Sequence, residues 1–403
     1  MVAILILMSL AGATPGDTAA DPALAALPTV PETASAVQKC LAKRCSPQAD
    51  MRATLKHAKA LMAEGSYKDA MVAIEASLKR NKAVKKRYPV SVSNLYRHHA
   101  QISASLGLGD DYYRSTWNIY RTLKQAFPND HVRVLSARME VAEMMRKVRG
   151  NDASYEMYRD LVRDARKRGK LNMSLVAEVQ KISNFSRPGP RWMKRLREIG
   201  GSTDPALEDA AIQAKIALGR IYLKEKDETR FAALQEEFRA MRLAKPQLIH
   251  SPPYDLAEKE MGPGDGMDGF VAPSGSDGAW GAGMGDLRPL NGLASTRMLE
   301  AGHSVTNYLA PGYESMWADI GFWVTPDGKV ADVKILRSKG NTFWATRFLE
   351  SVKARRYTPG NGDPKTSYFL ERYTYTASYQ STTGTRLQSR SAKPRIEFVD
   401  LRQ

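Results

Sequence analysis

Apolar residues return every three or four positions through most of residues 51–243. Leu55, Ala58, Leu61 and Met62 form one stripe; Glu64-Gly65-Ser66 breaks it; Tyr67, Ala70, Val72, Ile74 and Leu78 carry the next. That spacing predicts two helices around a tight turn, with Gly65 supplying the positive φ that ends the first. The unit recurs at Gly109-Asp110-Asp111-Tyr112 and at Gly150-Asn151-Asp152, 44 and 41 residues apart, each between stretches of helical period (95–106 and 117–127; 132–148 and 158–165). A last hairpin spans 205–243 and turns near Lys226-Asp227. A period near forty predicts stacked helical hairpins, an α-solenoid; an irregular helical bundle is the alternative. Pro188 and Pro190 interrupt the series, leaving a short basic helix over 191–199.

The periodicity stops at 244. Residues 244–311 include ten glycines between 262 and 292 and prolines at 252, 253, 263, 273 and 289, the composition of a flexible linker. From 312 the period becomes two. Ile320, Phe322 and Val324 alternate with Gly321 and Trp323, Thr325-Pro326-Asp327-Gly328 forms a turn, and 330–336 returns. Asn341 caps a helix over 342–353 with Trp344, Phe348, Leu349 and Val352 on one side. Residues 367–379 read as a long strand with Tyr373, Tyr375, Ala377 and Tyr379 on one face. The tail 381–403 contains a further candidate strand at 395–399, placed to cap the very edge a partner would use. The expected fold is multidomain: an all-α helical-hairpin solenoid over 51–243, then a small α+β (β-β-α-β) domain over 312–380.

The ends and the charge narrow the setting. Residues 2–10 are apolar, too few for a bilayer span, and run into Ala11-Gly12-Ala13. Residues 1–20 therefore read as a signal peptide, although no Lys or Arg precedes the apolar run; a buried N-terminal strand is the alternative. Residues 21–50 form an N-terminal segment whose Cys40 and Cys45 are the only cysteines, either a small disulfide loop or two unpaired thiols. The net charge of +17 predicts attraction to polyanions, so an anionic envelope surface is a candidate partner. Nucleic acid is not expected for an exported chain. No metal site, cofactor or catalytic constellation is expected. HExxH, Walker A and G-x-S-x-G are absent, and no histidine pair has i, i+4 spacing. His98 and His99 are expected at the surface or its boundary, and Glu236-Glu237 on a solvated helix face.

Two resemblances extend this reading. Gly65, Tyr67 and Ala70 match the turn of tetratricopeptide repeats, so the helical part resembles a degenerate array of that family. More specifically, V-T-P-D-G-K-V at the hairpin turn, then V-K-I-L-R-S, a helix and R-R-Y-T-P before the last strand resemble the TonB C-terminal domain over 312–379. That family implies a periplasmic domain that adds a partner's extended segment to its sheet, the segment coming from an outer-membrane transporter. By this resemblance the candidate binding edge is the strand carrying Ser367, Tyr368, Phe369, Leu370, Tyr373, Tyr375 and Tyr379, and Pro326, Asp327 and Gly328 form the family turn. Envelope proteins are the expected partners and a homodimer is a further candidate. A structural envelope scaffold that binds cell wall or itself is the alternative function; an enzyme is not expected.

Overall fold

A computed structural model describes residues 27–185, 187–252, 316–340, 343–360, 363–381 and 387–402. The proposed signal peptide and almost all of the glycine-rich linker lie outside the described residues. The chain is mostly helical, with a small antiparallel sheet near its end.

Helices α1 (Val30–Ala42), α2 (Pro47–Ala63), α3 (Tyr67–Arg80), α4 (Pro89–Ser105), α5 (Gly109–Lys124), α6 (Val132–Arg149), α7 (Asn151–Lys167), α8 (Leu171–Ser183), α9 (Pro190–Gly200), α10 (Glu208–Glu225) and α11 (Glu228–Met241) follow one another, neighbours in sequence packing together. The helical region therefore starts at Val30, not at 51. Pro31 sits in the first turn of α1, where a missing N–H costs nothing, and Thr29 with Glu32 forms a capping box. A disulfide joins Cys40 to Cys45 across the α1–α2 turn, with Cα atoms 5.1 Å apart.

The hairpin turns are built on one plan. α2 closes with Gly65 at φ +78°: its N–H bonds to Met62 O (2.9 Å) and Ser66 N–H bonds to Leu61 O (2.8 Å). α4 ends alike, but through Gly107 (φ +70°), with Leu108 N–H on Ser103 O (2.8 Å). The sequence reading placed this turn at Gly109, which instead begins α5. The left-handed residue must directly follow the last helical turn, and Gly107 does. Gly169 (φ +68°) closes α7 in the same way, with Lys170 N–H on Ala165 O (2.9 Å), whereas Gly150 (φ +90°) joins α6 directly to α7.

The sheet contains β2 (Trp317–Val324), β3 (Val330–Lys339), β5 (Tyr368–Ser381) and β6 (Gln388–Asp400), ordered β3-β2-β5-β6 and antiparallel throughout. Between β3 and β5 come α12 (Phe343–Lys353), the two-residue β4 (Arg356–Tyr357) and the helical turn α13 (Pro364–Ser367). β1 (Leu248–His250) pairs with β4. This corrects the linker boundary: Ile249 is fully buried in the core of α8–α11, so apolar residues inside a stretch read as linker hold the chain in place.

Alternation gives the sheet two different faces. Ala318, Ile320, Phe322, Val324, Tyr373 and Tyr375 pack under Trp344, Phe348 and Val352 of α12. The opposite face, with Trp317, Asp319, Arg372, Thr374 and Thr376, is also buried, but it is polar and lies against the helices. Trp317 completes the core of α2–α4 and Tyr379 joins the small core of α5 and α6. The two halves thus share cores.

A Cβ at Gly65 would overlap the Trp317 indole, whereas one at Gly169 (φ +68°) would meet open space. Gly169→Ala should therefore cost only the left-handed strain, about 1–2 kcal/mol. Gly65→Ala should cost more, because the indole must also move. Urea unfolding of both variants checks the order.

Candidate functional site

The contact between helices and sheet is organised by Arg372. It stands on β5 opposite Asp319 of β2, which in turn stands opposite Arg337 of β3, so the three residues form a row across three strands. Arg372 Nε and Nη2 donate to the two Asp319 oxygens at 2.6 and 2.8 Å, and Arg337 Nε donates to Asp319 as well. The rest of the guanidinium reaches the helices: Nη2 donates to Ala63 O at 2.6 Å and Nη1 to Met62 O. These carbonyls belong to the last turn of α2, where the helix has no donors left and its dipole is negative. The Trp317 ring lies 3.6 Å beneath the guanidinium carbon. Beside it, Tyr67 of α3 meets Thr374 Oγ1 at 2.6 Å, and burial raises the Tyr67 hydroxyl pKa.

The next hairpin repeats the device. Arg395 of β6 donates through Nη2 to Ala104 O at the end of α4 (2.6 Å) and to Tyr379 Oη (2.6 Å), and also pairs with Glu397. Glu397 accepts from Lys147 of α6 at 3.0 Å. Burial opposes its charge, but Lys147 and Arg395 prevail and hold the carboxyl below its ordinary value of 4.5. Asp110 Oδ1 of α5 takes the Gln388 N–H at 2.8 Å. A register shift between Ala377 and Tyr379 turns Tyr379 out of the α12 face and stacks it 6.2 Å from Tyr112 of α5.

The residues proposed as a binding edge lie elsewhere than expected. β5 is an interior strand, paired with β2 on one side and β6 on the other, so it offers no open edge. Ser367 is buried at the end of α13. Tyr368 packs beside Trp323 (5.0 Å), and Phe369 stacks on Phe322 (5.3 Å). Leu370 is fully buried, Tyr373 packs on Phe348 (4.7 Å) and Tyr375 on Trp344 (5.7 Å). The tail covers this edge because β6 is thirteen residues long, not five. Pro326, Asp327 and Gly328 do form the β2–β3 turn. Hydrogen bonds from Lys329 and Thr325 lower the Asp327 carboxyl to about 2, and Gly328 O accepts Tyr357 N–H at 2.8 Å. The turn is thereby anchored to β4. His99 of α4, expected near the surface, is buried, 2.8 Å from Ser115 Oγ of α5 and 3.2 Å from Glu75 of α3. Glu236 and Glu237 are exposed on α11.

The sheet's outer edges are β3 and β6. β3 carries two register shifts, one beside Asp332 at φ +51°, and α12 packs against it. β6 is regular from 394 to 400. Leu401 N–H bonds to Leu370 O, so by alternation 399, 397 and 395 turn their backbone groups to β5, while Ile396, Phe398 and Asp400 turn theirs outward. Two cavities adjoin this edge. One of about 700 Å³ lies between Phe398 and the helices, lined by Tyr112, Met139, Glu143 and Tyr158. The other, of about 620 Å³, is bordered by Lys56, Lys59, His98 and Arg402. Arg97 and Gln101 line both; Arg97 is fixed by a two-pronged bond to Glu140 (2.9 and 2.8 Å). Sequence reasoning missed this groove, because it exists only where the tail meets helices three hundred residues earlier.

Comparison with models of known families, with curated proteins and with solved structures finds no match. The resemblances to TonB and to tetratricopeptide repeats therefore stand on their motif residues alone. Among the described residues no helix is long and apolar enough to cross a membrane, and no group of three or more His, Cys, Asp or Glu side chains could hold a metal ion.

Removing Arg372 would leave the buried Asp319 with Arg337 alone, deprive Ala63 O of its donor and leave Met62 O with only the Gly65 N–H. Arg372→Ala should destabilise by about 3–5 kcal/mol, and Arg372→Lys should recover only part, since an ammonium cannot span carboxylate and carbonyls together. Chemical denaturation measures both. A second outcome concerns acid. Hydrogen bonds from Arg80 and Asn81 outweigh burial and hold Asp50 below its ordinary 3.8, as Lys147 and Arg395 do for Glu397. Groups with depressed folded pKa values contribute stability above the unfolded values and lose it as pH falls through the folded ones. The melting temperature should therefore fall as pH drops below about 4.5, and less steeply in Glu397→Gln.

Proposed function

We propose that the chain is a protein-binding scaffold of the bacterial cell envelope that takes an extended segment of a partner along the outer edge of β6. One observation carries the reading: the regular stretch of β6 turns backbone groups that have no strand partner among the described residues toward a groove walled by the helices. Such an edge binds a strand through its main chain, and pockets beside it select side chains. Phe398, half exposed at 50%, offers an apolar contact at the middle of that edge. The TonB-like motif points to an outer-membrane transporter segment as the partner and to the periplasm as the location. The Cys40–Cys45 disulfide fits an oxidising compartment. The helical part, read as a degenerate tetratricopeptide-like solenoid, would then hold its own sheet first and the partner second.

Self-association is the second reading. An antiparallel edge with an exposed Phe398 also suits the same edge of another copy related by a twofold axis.

A synthetic transporter plug peptide should slow amide exchange at Ile396, Phe398 and Asp400 and leave the β5 amides unchanged. Phe398→Pro removes an outward N–H without breaking the bonds of 397 and 399 to β5, and should weaken binding about tenfold. If these amides are already protected in a dimer, shown by sedimentation, the second reading replaces the first. If neither peptide nor dimer protects them, both fail.

A further inference from the structure

A second surface lies at the junction of α7, α8 and α9. Three aromatic rings from three segments meet there. Phe185, just past the end of α8, packs edge-on to Tyr155 of α7 (5.6 Å) and stacks on Trp192 of α9 (6.1 Å). Phe185 is 40% exposed. Lys181 Nζ stands over two of the rings, 5.8 Å from Tyr155 and 5.1 Å from Trp192, and the Arg191 guanidinium lies 5.4 Å from Trp192.

The charges around this cluster do not cancel. Burial lowers the Lys181 pKa; Glu178 opposes that, and Arg166, Arg191 and Arg159 add to it. Glu178 is already committed, to Arg195 at 3.0 Å and Arg166 at 3.4 Å. Glu198 pairs with Arg195, while Glu156 and Asp160 pair with Arg159. Among the described residues, Lys181, Arg187, Arg191 and Lys194 have no recorded carboxylate partner within salt-bridge distance, and the last three are surface residues. A cavity of about 320 Å³ opens beside Trp192 among four cations, Arg166, Arg191, Lys194 and Arg195, against two carboxylates, Glu178 and Glu198. A phosphate group would answer the uncompensated charge there.

We propose that this corner docks on a membrane surface rich in anionic phospholipid. Lys181, Arg191 and Lys194 take headgroup phosphates, and Phe185 and Trp192 enter the interfacial layer. Basic residues next to an exposed ring, Phe185, with the half-buried Trp192 behind it, suit that layer, where rings sit at headgroup depth and cations meet phosphate. Single-stranded nucleic acid would need open ring faces on which bases stack. Here the Phe185 face is occupied by Trp192, and Lys181 and Arg191 lie over the other rings. This inference does not depend on the β6 groove.

The full chain is tested by sedimentation with phosphatidylcholine vesicles, with and without phosphatidylglycerol. The chain should bind only the vesicles that contain phosphatidylglycerol. Arg191→Glu/Lys194→Glu should weaken that binding at least about tenfold. Phe185→Ser should weaken it in a way that added salt does not reproduce. Lys82→Glu/Lys86→Glu, the same charge change on the exposed basic run after α3, is the control and should bind nearly as well as the unaltered chain. Circular dichroism confirms that each variant is folded. Equal loss in both double variants would mean that only net charge matters, and would overturn the proposal. Failure to bind any vesicle would overturn it too, as would tighter binding to single-stranded DNA that competes with vesicles.

Discussion

The last carbonyls of an α-helix have no donors within the helix, and the first helices of two successive hairpins here give theirs to arginines of a β-sheet. Arg372 caps α2 and Arg395 caps α4. Much of the architecture follows from that. The turns after both helices must be left-handed and bare, so that the sheet can come close to the carbonyls, and glycine serves at 65 and 107. The Arg372 charge must be balanced where it is buried, so Asp319 stands opposite it. Arg372 is fully packed, so an aromatic floor is required, and Trp317 forms it while filling the α2–α4 core.

The sheet consequently has an apolar face toward α12 and a polar buried face toward the helices. A buried polar interface needs each group to find its partner, and so it fixes position more strongly than apolar packing does. This orientation leads to the functional reading. With β5 enclosed and β3 bulged, the regular outer edge is that of β6, and the same docking that fixes β6 sets a wall of helices opposite it. A partner strand would enter a channel with one side sheet and one side helix, rather than an open edge facing solvent.

Much of the fold was legible in the sequence. Three- and four-residue spacing marked the helices, Pro326-Asp327-Gly328 marked the hairpin, and the stripe from Trp344 to Val352 marked α12, because each signal is local. Two errors were local, the turn glycine at 107 and the helix start at Val30; those that bear on the site came from long-range pairing. The strand with Tyr373 and Tyr375 showed that it had a buried face, and the candidate strand at 395–399 pointed to a cover for its edge, but not to a strand of thirteen residues. Arg372 and Asp319 read as ordinary strand residues, since their importance comes from helix carbonyls more than three hundred positions away. Leu248 and Ile249 were lost in a stretch dominated by glycine and proline. Of the α7–α9 cluster only the short basic helix over 191–199 was visible, not the meeting of three rings.

The account depends on helices and sheet forming one cooperative unit, and scanning calorimetry tests that most directly. The prediction is a single transition for the helices and sheet, with van 't Hoff and calorimetric enthalpies in agreement, shifted as a whole to lower temperature by Arg372→Ala. Two separate transitions, with the helical one unmoved by that substitution, would contradict it.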